Sequence, residues 1–119
     1  REGYSRLVAS GRFAAVIEER IPMLLHPDHQ SDPDLLAAAR AMAYATGPAR
    51  FLRQQRAIIG RIDSRPTLAR IGCPTLVLAA SHDVIASPAT LRAVADAIPG
   101  AEYVVIEGAG HFAPLERPD

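Results

Sequence analysis

The 119-residue sequence predicts an α/β fold in which a helical segment is followed by a β-α-β unit of a parallel sheet. Three observations carry this expectation. The run Thr75-Leu76-Val77-Leu78-Ala79-Ala80 is continuously apolar, the pattern of a strand buried on both faces of a parallel sheet. A second apolar run covers residues 103–106, and between the two Leu91, Val94, Ala95 and Ile98 recur at helical spacing. Residues 2–70, by contrast, show only the period of helices.

The elements follow in order. Leu7, Phe13, Val16 and Ile17 indicate two short helices broken near Gly11, and Pro22 with His26-Pro27-Asp28-His29 ends that unit. A third helix starts where Asp32 caps the free amides, Pro33 suits the first helical position and Asp34 favours the positive dipole end. Its apolar face is Leu35, Leu36, Ala39, Met42, Ala43 and Thr46, and Gly47 is its left-handed stop. Pro48 opens a fourth helix with Phe51, Leu52, Gln55, Ile58 and Ile59 on one side, and residues 60–66 are a linker. Pro74 stands at the start of the first strand, where a missing amide does least harm. Ser87-Pro88 is a cap and first turn, Pro99-Gly100 stops that helix, and the second strand follows. A right-handed parallel crossover is expected.

Composition bounds the functional classes. Hydrophobic residues make up 49%, enough for a core. The formal charge is zero, so no global field draws the chain to nucleic acid or to an anionic membrane. All 13 basic residues are Arg, read as coding bias from a GC-rich genome and not as function. The single Cys73 forms no internal disulfide and is read as a buried small residue in a cytoplasmic protein. No apolar run nears the roughly 18 residues of a membrane span, and no basic-then-apolar leader opens the chain. The sequence starts at Arg1 and stops at Pro118-Asp119, and both ends read as cut. Two parallel strands alone leave faces and edges needing cover. A second copy of the chain is the expected partner, in a homodimer.

The chemistry centres on Asp83 and His111. Each lies just past the C-terminal end of a strand, where open α/β sheets place their sites. Neighbouring strands lie about 4.8 Å apart, so the two side chains can meet. A carboxylate on one imidazole nitrogen fixes the tautomer and frees the other nitrogen to take a proton. Gly108 and Gly110 let the backbone bend to carry His111 over the sheet edge. On spacing alone, a turn aspartate and a surface histidine remain the competing reading.

Residues 71–78, then Asp83, Pro88, Ile98-Pro99-Gly100-Ala101, Gly108-Ala109-Gly110-His111 and Glu116-Arg117-Pro118, together resemble the C-terminal part of an α/β-hydrolase-fold enzyme. The resemblance covers roughly residues 65–119. It implies a partial α/β-hydrolase fold, with residues 1–64 as helical lid and 65–119 as core. It implies that Asp83 and His111 are the acid and histidine of a catalytic triad. The family's Gly-x-x-Asp turn is replaced here by Ala80-Ser81-His82-Asp83. The family's Gly-x-Ser-x-Gly nucleophile elbow is missing: Ser5, Ser10, Ser31, Ser64, Ser81 and Ser87 all lack that context. No nucleophile is therefore assigned in this chain, and no metal or cofactor is implied. The expected substrate is a small acyl compound such as a carboxylic ester or lactone. Other chemistries of the fold, and a non-catalytic self-associating module, stay open.

Weaker signals have plainer readings. His26, Asp28 and His29 lack a third ligand at metal-binding spacing and are read as a solvated loop. His82-Asp83 follows a strand, unlike the helix-borne pair of metal phosphohydrolases. Arg50, Arg53, Arg56, Arg61, Arg65 and Arg70 have little aromatic support for nucleic-acid binding and are read as a solvated face. Met23, Leu24, Leu25 and Met42 are read as core, or as the lining of a pocket.

Overall fold

A computed structural model describes residues 2–119. The order is α1 (Glu2–Ala9), α2 (Phe13–Met23), a 3-10 turn (Pro27–His29), α3 (Pro33–Ile59), a 3-10 helix (Arg65–Arg70), β1 (Leu76–Ala80), α4 (Pro88–Asp96), β2 (Glu102–Ile106) and α5 (Ala113–Glu116). The chain forms two compact units. One runs to Pro22 and resumes over Ser31–Ile62; the other joins Met23–Gln30 to Asp63–Asp119.

The first unit is helical. Gly11 at φ 86° separates α1 from α2, and Pro22 lies inside the last turn of α2. The Asp32 side chain accepts from the amides of Asp34 and Leu35 at 2.9 and 3.1 Å, the cap expected from sequence. Gly47 adopts φ 71° and ψ 166° and kinks α3, so the stop and restart at Gly47-Pro48 survive as a bend within one helix. Val8, Phe13, Val16, Ile17, Ile21, Ala39 and Phe51 are buried, and Phe13 meets Tyr44 and Phe51 edge to face. Glu18 ties α2 to α3 through Arg40 and Tyr44. Met42, Ile58 and Ile59, placed on apolar faces by their spacing, are exposed.

The second unit holds the β-α-β motif. β1 and β2 pair in parallel, with Leu76 opposite Glu102 and Ala80 opposite Ile106. Ser87 caps α4 and Pro88 opens it. Tyr103 fixes the helix to the sheet: its hydroxyl donates to the Pro88 carbonyl at 2.9 Å, and Arg92 stacks 4.1 Å over its ring. Ala79, Ala80, Ala95, Ile98 and Ala109 form the core.

One face of the sheet is left open, as two strands with a single helix would leave it. Leu76, Leu78 and Val104 are 54%, 51% and 45% exposed. Tyr103 points its ring toward α4, so its neighbours in the strand, alternating in direction, face away from that helix. Cys73 is exposed rather than buried, because it precedes β1.

Candidate active site

The site grows from the loops past β1 and β2. The pairing of the strands continues beyond their ends. The Ser81 amide donates to the Ile106 carbonyl at 3.0 Å, and the His82 amide to the Ala109 carbonyl at 2.9 Å. Between them the Gly108 amide donates to the Ser81 hydroxyl at 3.0 Å. Gly108 sits at φ 66°, a left-handed conformation that suits glycine. The two loops thus leave the sheet bonded to each other.

Asp83 and His111 meet at the end of this ladder. The imidazole Nδ1 lies 2.9 Å from Asp83 Oδ2. A carboxylate only accepts, so Nδ1 carries a proton, and in the neutral ring Nε2 presents its lone pair. The other carboxylate oxygen, Oδ1, accepts from the amides of Ile85 and Ala86 at 2.7 and 3.0 Å. One oxygen therefore anchors the acid to its own loop and the second holds the histidine. Burial alone would raise the Asp83 carboxyl. The bonds from His111, Ala86 and Ile85 together outweigh burial and hold it below the usual carboxylate range. The His111 side chain is 39% exposed.

Segment Met23–Gln30 completes the surroundings, and the solvated-loop reading of His26 and His29 is overturned. The Leu24 carbonyl accepts from the His111 amide at 2.6 Å. The His26 ring stands edge-on to the His82 ring, with centroids 4.1 Å apart. His26 Nδ1 accepts from the Asp28 amide at 3.2 Å and caps the 3-10 turn. His29 Nδ1 lies 2.9 Å from Glu116 Oε2. The loop is long in sequence separation from its partners and carries no periodic signal, so its packing was not legible locally. Among the described residues, no group of three His, Cys, Asp or Glu side chains is gathered as metal ligands.

A cavity of about 310 Å³ opens beside Asp83, lined by Met23, Leu25, Pro27, Gln30, Ser81, His82, Val84, Ser87 and Pro88. Leu25 lines the pocket and is buried, Met23 lines it but is exposed rather than core, Leu24 serves the His111 backbone, and Met42 lies exposed in the helical unit. The serines of this region are occupied structurally. Ser81 Oγ lies 2.9 Å from His82 Nδ1, and Ser87 Oγ accepts from the Thr90 amide. The arrangement offers a base with a fixed tautomer, its orienting acid and an adjoining, largely apolar pocket.

Comparison with known proteins adds the following. The sequence profile of the alpha/beta hydrolase fold matches residues 11–118. A Mycobacterium tuberculosis protein named as a non-heme bromoperoxidase, BpoC, is 41% identical over 54 residues, which cover 45% of this chain and 21% of that protein. The structure of a thermophilic esterase from Thermogutta terrifontis superposes with a TM-score of 0.87 at 30% identity, covering 98% of this chain and 44% of the esterase. That of the enol-lactonase from Burkholderia xenovorans LB400 gives 0.88 at 30% identity, covering 98% and 45%. The chain spans less than half the length of each of these relatives.

Proposed function

The chain belongs to the alpha/beta hydrolase fold family, and from that premise we propose that it supplies the histidine and the acid of a Ser-His-Asp hydrolase acting on a carboxylic ester, a lactone or a related acyl compound. The observation that carries the reading is the 2.9 Å contact from His111 Nδ1 to Asp83 Oδ2, which points the Nδ1 proton at the acid and, in the neutral ring, leaves the Nε2 lone pair free. Two structural relatives, an esterase and an enol-lactonase, support acyl transfer to water as the reaction class.

In the proposed mechanism His111 Nε2 takes the proton of a serine hydroxyl as that oxygen attacks the acyl carbon. Asp83 holds the imidazole in the reactive tautomer and stabilises the imidazolium that forms. His111 then returns the proton to the leaving alcohol, and repeats the cycle with water to release the acid. The serine and the oxyanion donors come from outside residues 1–119, in a longer protein of which this chain is the C-terminal portion. In this reading the helical residues 1–64 act as lid, apart from segment Met23–Gln30, which packs within the second unit. The chain is cytoplasmic in this reading. Which nucleophile meets the imidazole separates ester hydrolysis from C–C hydrolysis, epoxide opening, dehalogenation and acyl transfer on the same fold.

The experiment is hydrolysis of p-nitrophenyl acetate and of a small enol-lactone by the longer protein, with His111→Ala and Asp83→Asn alongside. Both variants are expected to lose about 10⁴-fold in kcat with KM little changed. Full activity in His111→Ala overturns the proposal.

The exposed Leu76, Leu78 and Val104 favour one further reading for the chain by itself: association with a second copy through this face and the open edge of the sheet.

A further inference from the structure

We infer that Glu116 is a positioning residue for His111: its buried carboxylate ties the turn carrying the imidazole to segment Met23–Gln30 and so sets the ring against Asp83. The word positioning rests on reading His111 as the general base; the network itself stands on geometry.

Glu116 closes α5, and its side chain is 0% exposed. A carboxylate taken out of water is costly unless its oxygens are satisfied. Here both are. Oε1 accepts from the Gly110 amide at 2.8 Å, and Oε2 accepts from the His26 amide at 2.7 Å. His29 Nδ1 adds a contact to Oε2 at 2.9 Å. Bonds to an ionised acceptor are shorter and stronger than neutral ones. One carboxylate therefore bridges two segments some 90 residues apart in sequence.

The bridge bears directly on His111. The two consecutive amides of Gly110 and His111 both serve the same segment, the first through Glu116 and the second directly, at the Leu24 carbonyl. The backbone entering the imidazole is thus held at both of its donors. A side chain held only by its own rotamers would lose entropy each time it met Asp83; a backbone already fixed removes most of that cost. Nothing in a helix as short as Ala113–Glu116 requires a buried acid at its last position. The acid is accounted for by what it joins.

A purely structural role would stabilise the unit without affecting the His111–Asp83 bond, and the test separates the two. The readout is the His111 Nδ1 proton in ¹⁵N-labelled chain, with its imidazole tautomer and its exchange rate with water; Asp83→Asn gives the reference for loss of the bond. Glu116→Gln keeps the volume and removes the charge and one acceptor. It is expected to raise the exchange rate about tenfold, the scale of one charge-assisted hydrogen bond, while amide dispersion is retained. Glu116→Asp keeps the charge at shorter reach and is expected to fall between. A folded Glu116→Gln whose His111 proton is unchanged overturns the inference. Should Glu116→Gln not fold, His29→Ala decides: it removes one donor of three, and an unchanged His111 proton there overturns the inference equally. No outcome depends on hydrolysis, so failure of the proposed activity and failure of this inference are told apart.

Discussion

Gly110 lies against Leu24 with no room for a side chain. A Cβ at residue 110 would stand 2.6 Å from the Leu24 carbonyl oxygen and 2.7 Å from the His26 nitrogen. Both are backbone atoms, which cannot rotate away. Glycine here serves close approach, since its φ is not left-handed.

Gly110→Ala is therefore expected to cost about 1–3 kcal/mol, the range for an extra methyl in a closed site. Thermal unfolding followed by circular dichroism measures it. The Glu116 bond to residue 110 and the Leu24 bond to His111 should weaken together. An unchanged Tm would show that the two segments slide apart freely.

Asp83 makes the second unit sensitive to acid. Its folded carboxyl binds a proton more weakly than the unfolded one, whose pKa is about 3.9. The stability it contributes is complete above that unfolded value and is lost as pH falls through the lower folded value. The difference in urea midpoint between wild type and Asp83→Asn should thus be largest near neutrality and shrink as pH is taken from about 5 toward 2. A difference that grows on acidification contradicts the assigned direction.

The 119-residue chain by itself should hydrolyse p-nitrophenyl esters no faster than an exposed imidazole does. It has a base and its orienting acid, and no Gly-x-Ser-x-Gly elbow. Saturable turnover abolished by replacing one of its six serines is the result that sinks this expectation.

At micromolar concentration the chain should sediment as a dimer. Leu76, Leu78 and Val104 form one apolar sheet face, and β1 pairs only with β2 among the described residues. Leu78→Glu, which places a charge at the centre of that face, should return it to monomer with secondary structure intact. A monomeric wild type at these concentrations removes the proposal.

Much of this architecture is readable along the chain because its causes are local. The capping of α3 by Asp32, the bend at Gly47 and the start of α4 at Ser87-Pro88 are each set by a few adjacent side chains. Both strands sit within one residue of their expected starts. Asp83 and His111 were legible because a parallel sheet brings the ends of its strands together whatever fills the rest. The role of Met23–Gln30 was not. Its partners lie some 85 to 90 residues away, and one of them is a glycine whose meaning depends on what approaches it. Glu116 was visible only as part of a family pattern. The signal available was an acid closing a four-residue apolar helix shortly after Gly-Ala-Gly, a cluster of small residues that invites another backbone. The open sheet face was legible too: an apolar strand records what it prefers to touch, and two strands with one helix leave one face uncovered.

The hydrogen bonds that carry the sheet past its last residues have a consequence for fidelity. Since Ser81, His82, Gly108 and Ala109 continue the row begun at Ala80 and Ile106, the separation of acid and base is metered by strand register, as marks on a ruler are. A slip of one residue would displace one side chain along its strand by about 3.3 Å and turn it to the other face. Misregistered copies would thus lose the pair outright, and no partly aligned population would persist.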